Sequence, residues 1–265
     1  MIDLKYMPKL WVLLLFGYFL LIMILDIHQA REFISNSLFD FIVHPLSGGS
    51  AGTLTLFLGI YPVLAILIPL IVDKMENDMV VIRIRNKKEL FYQHFIFSIV
   101  ISAIFVIVMV LAGGMASNLL TGSVKNLWPT EKGSIYFYLE NKTSFPIYIP
   151  QLTSFKVWLY IISSRFLAIL SIAVLLIFFK LVLKKNSYVL LVSLLFLLGS
   201  GGLFPGHFHL FLGYIDIDPK LWISPEHQLF PLVYHLFWIV LLFILCQWLY
   251  KKRNFTINKL GVKSC

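Results

Sequence analysis

Long apolar runs separated by short polar segments dominate the chain, and their lengths organise the reading of everything else. About 20 apolar residues in a helix cross the roughly 30 Å hydrocarbon layer of a bilayer. Six runs reach or approach that length, at about 10–25, 54–72, 95–112, 157–183, 188–204 and 229–250. The first opens with Lys9 and Trp11 and closes at Asp26. The second contains Pro62 and Pro69, which in a membrane kink a helix whose freed carbonyls are satisfied by neighbours or water. The third ends at Gly113-Gly114, and the fourth is long enough to tilt or to extend beyond the bilayer. The fifth is interrupted by Gly199-Ser200-Gly201-Gly202, and the sixth carries Trp248 and Tyr250 as interface anchors before Lys251-Lys252-Arg253. This pattern predicts an all-α integral membrane protein: one transmembrane domain, 1–265, of six helices.

The connections are more than bare turns. In Ile27–Val43, Phe33, Leu38, Phe41 and Ile42 recur at helical spacing against polar Arg31, Glu32, Asn36 and Asp40. That predicts an amphipathic helix lying at the outer surface after span one. The loop 116–154 is the longest polar segment, and its alternating SIYFYLE and FPIYIP stretches predict short strands. Lys5 and Lys9 precede an apolar run as in a signal peptide, but the run ends in LDIHQARE without a small-residue cleavage site, so a retained first span is expected.

Composition agrees with the pattern. Of 265 residues 59% are hydrophobic and 13% charged, whereas a soluble domain carries roughly a quarter charged residues. The formal charge of +9 does not point to nucleic acid, because the basic residues are split among several short segments. With the N-terminus inside, fifteen of the 22 basic residues fall on the inner side, six fall on the outer side, and Arg165 lies within a span. Cytoplasmic loops carry the excess of Lys and Arg, so both termini and the loop 73–93 are expected to be cytoplasmic, with membrane lipids as counterions. A multi-pass integral membrane protein follows as the expectation. The two cysteines, Cys246 and Cys265, cannot form a disulfide framework or a metal cluster.

Three features carry candidate chemistry. The fifth outer connection, 205–228, contains His207, His209, Asp216, Asp218 and His227, and His207, His209 and Asp216 are weak metal candidates of a kind a zinc hydrolase uses. No HExxH is present, and His207-x-His209 suits a strand face, so no metal is expected. Ser200 in the glycine run would need His235 as its base to act as a nucleophile, and close helix packing is the commoner use of such small residues. Arg165 sits eight to ten residues into the fourth span. Either it lines a substrate path or pairs with Asp26 or a lipid phosphate, or it snorkels to the outer headgroups.

The remaining feature is the charged passage DKMENDMVVIRIRNKKELFYQ, residues 73–93, between spans two and three. Met75, Met79 and Ile82 recur at i, i+4, i+7 and make one apolar stripe, with Glu76 and Asp78 off it. Such a helix can press methionines into a partner's groove while charges set the register. There is no GxxxxGK[ST], so the chain has no P-loop of its own. Six spans, both termini inside, no ATPase motif and MVVIRIRNKKELFYQHFIFSIV together resemble the permease subunits of ABC-2-type exporters, specifically the small permeases of bacteriocin and peptide-immunity transporters. The resemblance implies a transport subunit without enzymatic activity of its own. It implies no cofactor beyond ATP and magnesium on the partner, a cytoplasmic ATPase dimer, and a second permease copy or sister permease. It further implies that Asp73–Met79 dock on the ATPase, with Asp73, Met75, Glu76, Met79 and Ile82 in the coupling segment and Arg83, Arg85, Lys87 and Lys88 as its clamp. A six-span hydrolase with the His-rich outer site and a substrate-binding subunit of a vitamin importer are the alternatives.

Overall fold

With no water in the hydrocarbon layer, a spanning backbone must satisfy its own polar groups, and helices do so within one segment. The structure is a computed structural model and describes residues 9–76, 87–200 and 222–252. Every regular element among them is helical. In chain order these are α1 (Lys9–Arg31), the short α2 (Leu38–Ile42), a π-helical turn (Thr55–Ile60) leading into α3 (Tyr61–Met75), α4 (Lys87–Thr121), the short α5 (Ser134–Tyr138) and α6 (Phe145–Tyr148), then α7 (Ser154–Leu183), α8 (Asn186–Ser200) and α9 (Pro225–Lys252).

Five of these segments are long and apolar enough to cross a membrane: Leu10–Arg31, Thr55–Met75, Glu89–Thr121, Ser154–Leu183 and Pro225–Lys252. The described part of the fifth predicted span, α8, is a shorter apolar helix, and the rest of that run lies outside the described residues. The segments through α3 and α7 are 72% and 67% buried, against 22–28% for α1, α4 and α9. The bundle is therefore built around α3 and α7, and the other long helices turn exposed apolar faces such as Leu13, Ile107 and Phe237 outward, as lipid contact requires.

The prolines of span two are accommodated rather than disruptive. Pro62 falls in the first turn of α3, immediately after the π turn, and Pro69 sits inside the helix. Proline provides no N–H for the carbonyl four residues earlier; at Pro62 that carbonyl is Leu58 O, which accepts the Tyr18 hydroxyl of α1 at 2.9 Å.

Three expectations for the connections are corrected. The single amphipathic helix over 27–43 does not form: α1 continues to Arg31, the chain bends, and α2 is only five residues long. Asp40, expected on the polar face, is fully buried, as are Phe39, Phe41 and Ile42. The cause is the following segment, which folds back over α2. Ser50 N–H donates to Phe41 O, Ala51 N–H to Ile42 O, and Gly49 N–H to Asp26 O of α1. That reversal uses Gly48 and Gly49 at φ +98° and +102°, where a side chain would collide with the backbones of Ala30 and Ile42. The strands expected in 116–154 are also absent among the described residues, because an alternating stretch becomes a strand only beside another strand. The segment forms α5, α6 and two 3₁₀ turns instead.

Third, α4 does not stop at Gly113-Gly114 but runs on to Thr121. At about 1.5 Å per residue its 35 residues reach roughly 52 Å, well beyond the hydrocarbon layer. Gly113 marks a crossing, not an end. A Cβ there would lie 2.5 Å from Ser50 Oγ, 2.6 Å from Ile42 Cγ1 and 2.9 Å from Phe41 O, whereas nothing lies within 4 Å of one at Gly114. Ser50 cannot retreat easily, since its hydroxyl donates to Met109 O at 2.6 Å. Gly113→Ala is therefore expected to destabilise by about 1–3 kcal/mol, the usual cost of overpacking, while Gly114→Ala leaves the thermal unfolding midpoint in detergent unchanged or slightly raised. Equal midpoints for the two variants would refute the crossing.

Candidate functional site

Polar groups cluster at three levels of the bundle. At the end where α3 finishes and α4 begins, the start of the predicted coupling segment is tied into the chain's own helices. Asp73 Oδ1 pairs with Lys180 Nζ of α7 at 2.6 Å. Lys180 also donates to Lys184 O and to Asn186 Oδ1, each at 2.6 Å, and Asn186 Nδ2 returns to Asp73 Oδ2 at 2.7 Å. One residue-turn on, Glu76 Oε1 accepts the Tyr250 hydroxyl of α9 at 3.1 Å, and that hydroxyl lies 2.5 Å from His94 Nδ1 of α4. Met75 is half-buried and packs against the core. Met79, Ile82, Arg83 and Arg85 lie outside the described residues; Lys87 and Lys88 open α4, and their side chains lie outside the description too.

The second level is inside the bundle. Arg165 is 1% exposed and stays within the protein instead of reaching its surface. It acts electrostatically on Asp26 of α1, Tyr160 of its own helix and His235 of α9. Asp26 is fully buried, Thr55 N–H at the head of the π turn donates to its Oδ2 at 2.7 Å, and its Oδ1 has no hydrogen-bond partner among the described residues. A π turn between helical segments often marks a functional position, and here it places a backbone donor beside a buried carboxylate. His235 Nδ1 lies 3.3 Å from Ser171 Oγ, but that hydroxyl is 2.7 Å from Ala168 O and donates there. The imidazole then acts as donor to Ser171, the reverse of what nucleophile activation requires. The side chain of Ser200 lies outside the description.

The third level caps the other end. Asp40 Oδ2 accepts the N–H groups of Asn36 (2.9 Å) and Ser37 (2.8 Å), while Oδ1 accepts Trp128 Nε1–H (2.6 Å) and the Ser134 hydroxyl (2.5 Å). One carboxylate thus joins α2 to the connection after α4 and to α5. Burial pushes its pKa up, and the donors Ser134, Trp128 and Ser37 together with nearby His44 oppose that rise. His44 stacks on Phe33 and meets Tyr138 edge-on. Its Nδ1 accepts the N–H groups of Leu46 and Ser47, and its Nε2 is 3.3 Å from Ile34 O. Burial holds His44 below its ordinary value of 6.5, against the attraction of Asp40.

His207, His209 and Asp216 lie outside the described residues. Among the described residues no group of three or more His, Cys, Asp or Glu is arranged to hold a metal. Sequence reasoning named Asp73, Glu76, Asp26 and Arg165 but missed Lys180, Asn186, Tyr250 and His94 as their partners, and it misplaced Asp40. The one available signal was His94 and Lys180 standing inside or at the edge of apolar runs. No protein-family model, curated protein or solved structure matches the chain.

Two outcomes follow. A buried charge stripped of its partner costs about 3–5 kcal/mol, whereas replacing both members of a pair is far milder. Arg165→Met is expected to lower thermal stability in detergent strongly, and Asp26→Asn added to it to recover part of the loss; strict additivity would show that the two charges do not interact. For His44, the neutral ring is favoured on folding, so its contribution is complete above 6.5 and is lost as pH falls below that value. Asp40, raised above its ordinary 3.8, has the opposite slope, so the informative quantity is a difference. Between pH 7.5 and 5.5 the wild type is expected to lose more of its unfolding midpoint than His44→Gln, and parallel pH profiles would exclude a buried neutral His44.

Proposed function

We propose that the chain is the membrane permease subunit of an ATP-driven ABC exporter, moving a hydrophobic or amphipathic peptide across the bacterial cytoplasmic membrane. Five helices are long and apolar enough to cross a membrane; with the run 188–204 as a sixth span, the excess of basic residues on one side supports a topology with both termini and the segment 73–93 in the cytoplasm. ATP is hydrolysed by a separate ATPase dimer, and two permease copies, or this chain and a sister, enclose the path.

The observation that carries the reading is the double tether at the end of α3. The basic segment with Arg83 and Arg85 leaves from a helix end held to α7 and α8 through Asp73 and to α9 and α4 through Glu76. A loop that serves only to connect two spans has no need of such anchorage. A loop that receives a push from a soluble partner does, because displacement reaches the bundle only through stiff contacts. The buried Asp26, Arg165 and His235 supply the polar interior that functional membrane bundles concentrate away from lipid.

Co-expression with the ATPase encoded nearest to it is the test. The wild type is expected to retain that ATPase through purification in mild detergent, and Arg83, Arg85, Lys87, Lys88→Ala to lose it while still eluting as a folded protein. Retention by the quadruple variant at wild-type level would remove the basic clamp from the proposal, and no retention by the wild type would remove the permease reading itself.

A further inference from the structure

We propose that Lys180 is the positioning residue that makes α3, α7 and α8 move as one body when the segment after α3 is displaced. This rests on the permease reading and adds the route by which motion leaves the coupling segment. An ammonium group has three N–H donors, and those of Lys180 have three acceptors on three different pieces of chain. They are Asp73 Oδ1 at the end of α3, Lys184 O in the turn after α7, and Asn186 Oδ1 on the first residue of α8. Asn186 closes the ring by donating to Asp73 Oδ2 at 2.7 Å.

The arrangement is built by local structure. Leu183 ends α7, and Lys184 takes φ +59°, a conformation uncommon for a residue with a side chain. That sharp reversal brings the start of α8 within reach of a side chain only six residues back. The side chain of Lys180 is 3% exposed and that of Asp73 47%. The cation therefore lies inside, where salt and water screen little, and the carboxylate lies at the rim from which residues 77–86 depart. The second tether, through Tyr250, joins α3 to α9 and α4 by hydroxyl contacts. Lys180 provides the charged link, and it lies on one of the two most buried helices.

Displacement of Asp73 is thereby carried into α7, whose far end is some 38 Å away at about 1.5 Å per residue between 155 and 180. Phe155, 75% exposed, reports there. The background carries Cys246→Ala and Cys265→Ala, with Phe155→Cys as the only thiol. Addition of ATP and vanadate to the ATPase complex in liposomes is expected to change maleimide labelling of Phe155→Cys by at least about fivefold, the lower range of typical site-to-site coupling. Lys180→Met should retain the ATPase and its hydrolysis but lose the labelling change. In Asp73→Cys, Asn186→Cys, position 155 carries p-azidophenylalanine in place of a thiol and is read by strained-alkyne labelling; bridging the two thiols with a short reducible bis-methanethiosulfonate linker should restore the change there, and reduction should abolish it again. A residue that merely stabilises the fold would not give this reversible response.

A Lys180→Met complex that still responds to nucleotide like the wild type would refute the role while leaving the permease reading intact. A linked pair that blocks the response would also refute it, since α3 and α8 would then have to separate. If no ATPase accompanies the wild type, the permease reading falls and this role falls with it.

Discussion

A charge inside an apolar bundle persists only with its partner beside it, and this constraint shapes every level of the molecule. α3 and α7 are the most buried helices, so the charged side chains buried on α7, Arg165 and Lys180, cannot rely on water. Lys180 answers by collecting three acceptors, and Arg165 lies within electrostatic reach of Asp26. In a medium of low effective dielectric the attraction within such pairs grows, but so does the cost of removing either member. Each pair therefore joins two or more helices. Lys180 links α7 to α3 and α8, and Asp26 links α1 to the π turn.

The same logic extends beyond the long helices to the cap. Asp40 sits where α2, the connection after α4 and α5 meet, and four donors converge on its carboxylate. Trp128 packs edge-on against Trp222, which in turn meets Tyr160 of α7. The cap is thus fastened to the bundle by aromatic contacts and held together by one buried anion. Hydrogen bonds to charged groups contribute about 1.5–3 kcal/mol each, so a short helix such as α2, too short to be stable alone, is held by its tertiary partners.

For function, the consequence is a bundle with fixed points at both ends and a polar interior between them. At the end near 77–86 the fixed points are charged and lie at the base of a basic segment. In the proposed permease, that is the end on which the soluble partner acts. The permease reading draws its strength from this mechanical continuity, and α7 provides it: a 30-residue helix with Lys180 near one end, Arg165 in its interior and Tyr160 under the cap.

Much of this was legible in the residues alone, for a physical reason. Membrane-length apolar runs leave helices as the only way to satisfy the backbone, so the helical class and the approximate limits of the long segments followed from local composition, whereas Arg165 read equally well as an interior charge or as one snorkelling to the headgroups until its burial was seen. The limits failed where the signal was not local. Gly113-Gly114 looks like a stop until Ser50 and Phe41 are seen pressing against it, and Asp40 belongs to a polar face by periodicity but to the core by its contacts with Trp128 and Ser134. Partners 88–174 residues apart, such as Asp40 with Trp128 or Glu76 with Tyr250, leave no periodic trace. The sequence by itself determined which segments are helical and apolar, because that depends on each segment's own side chains. Only the tertiary structure decided which charges meet, because that depends on how helices distant in the chain are brought side by side.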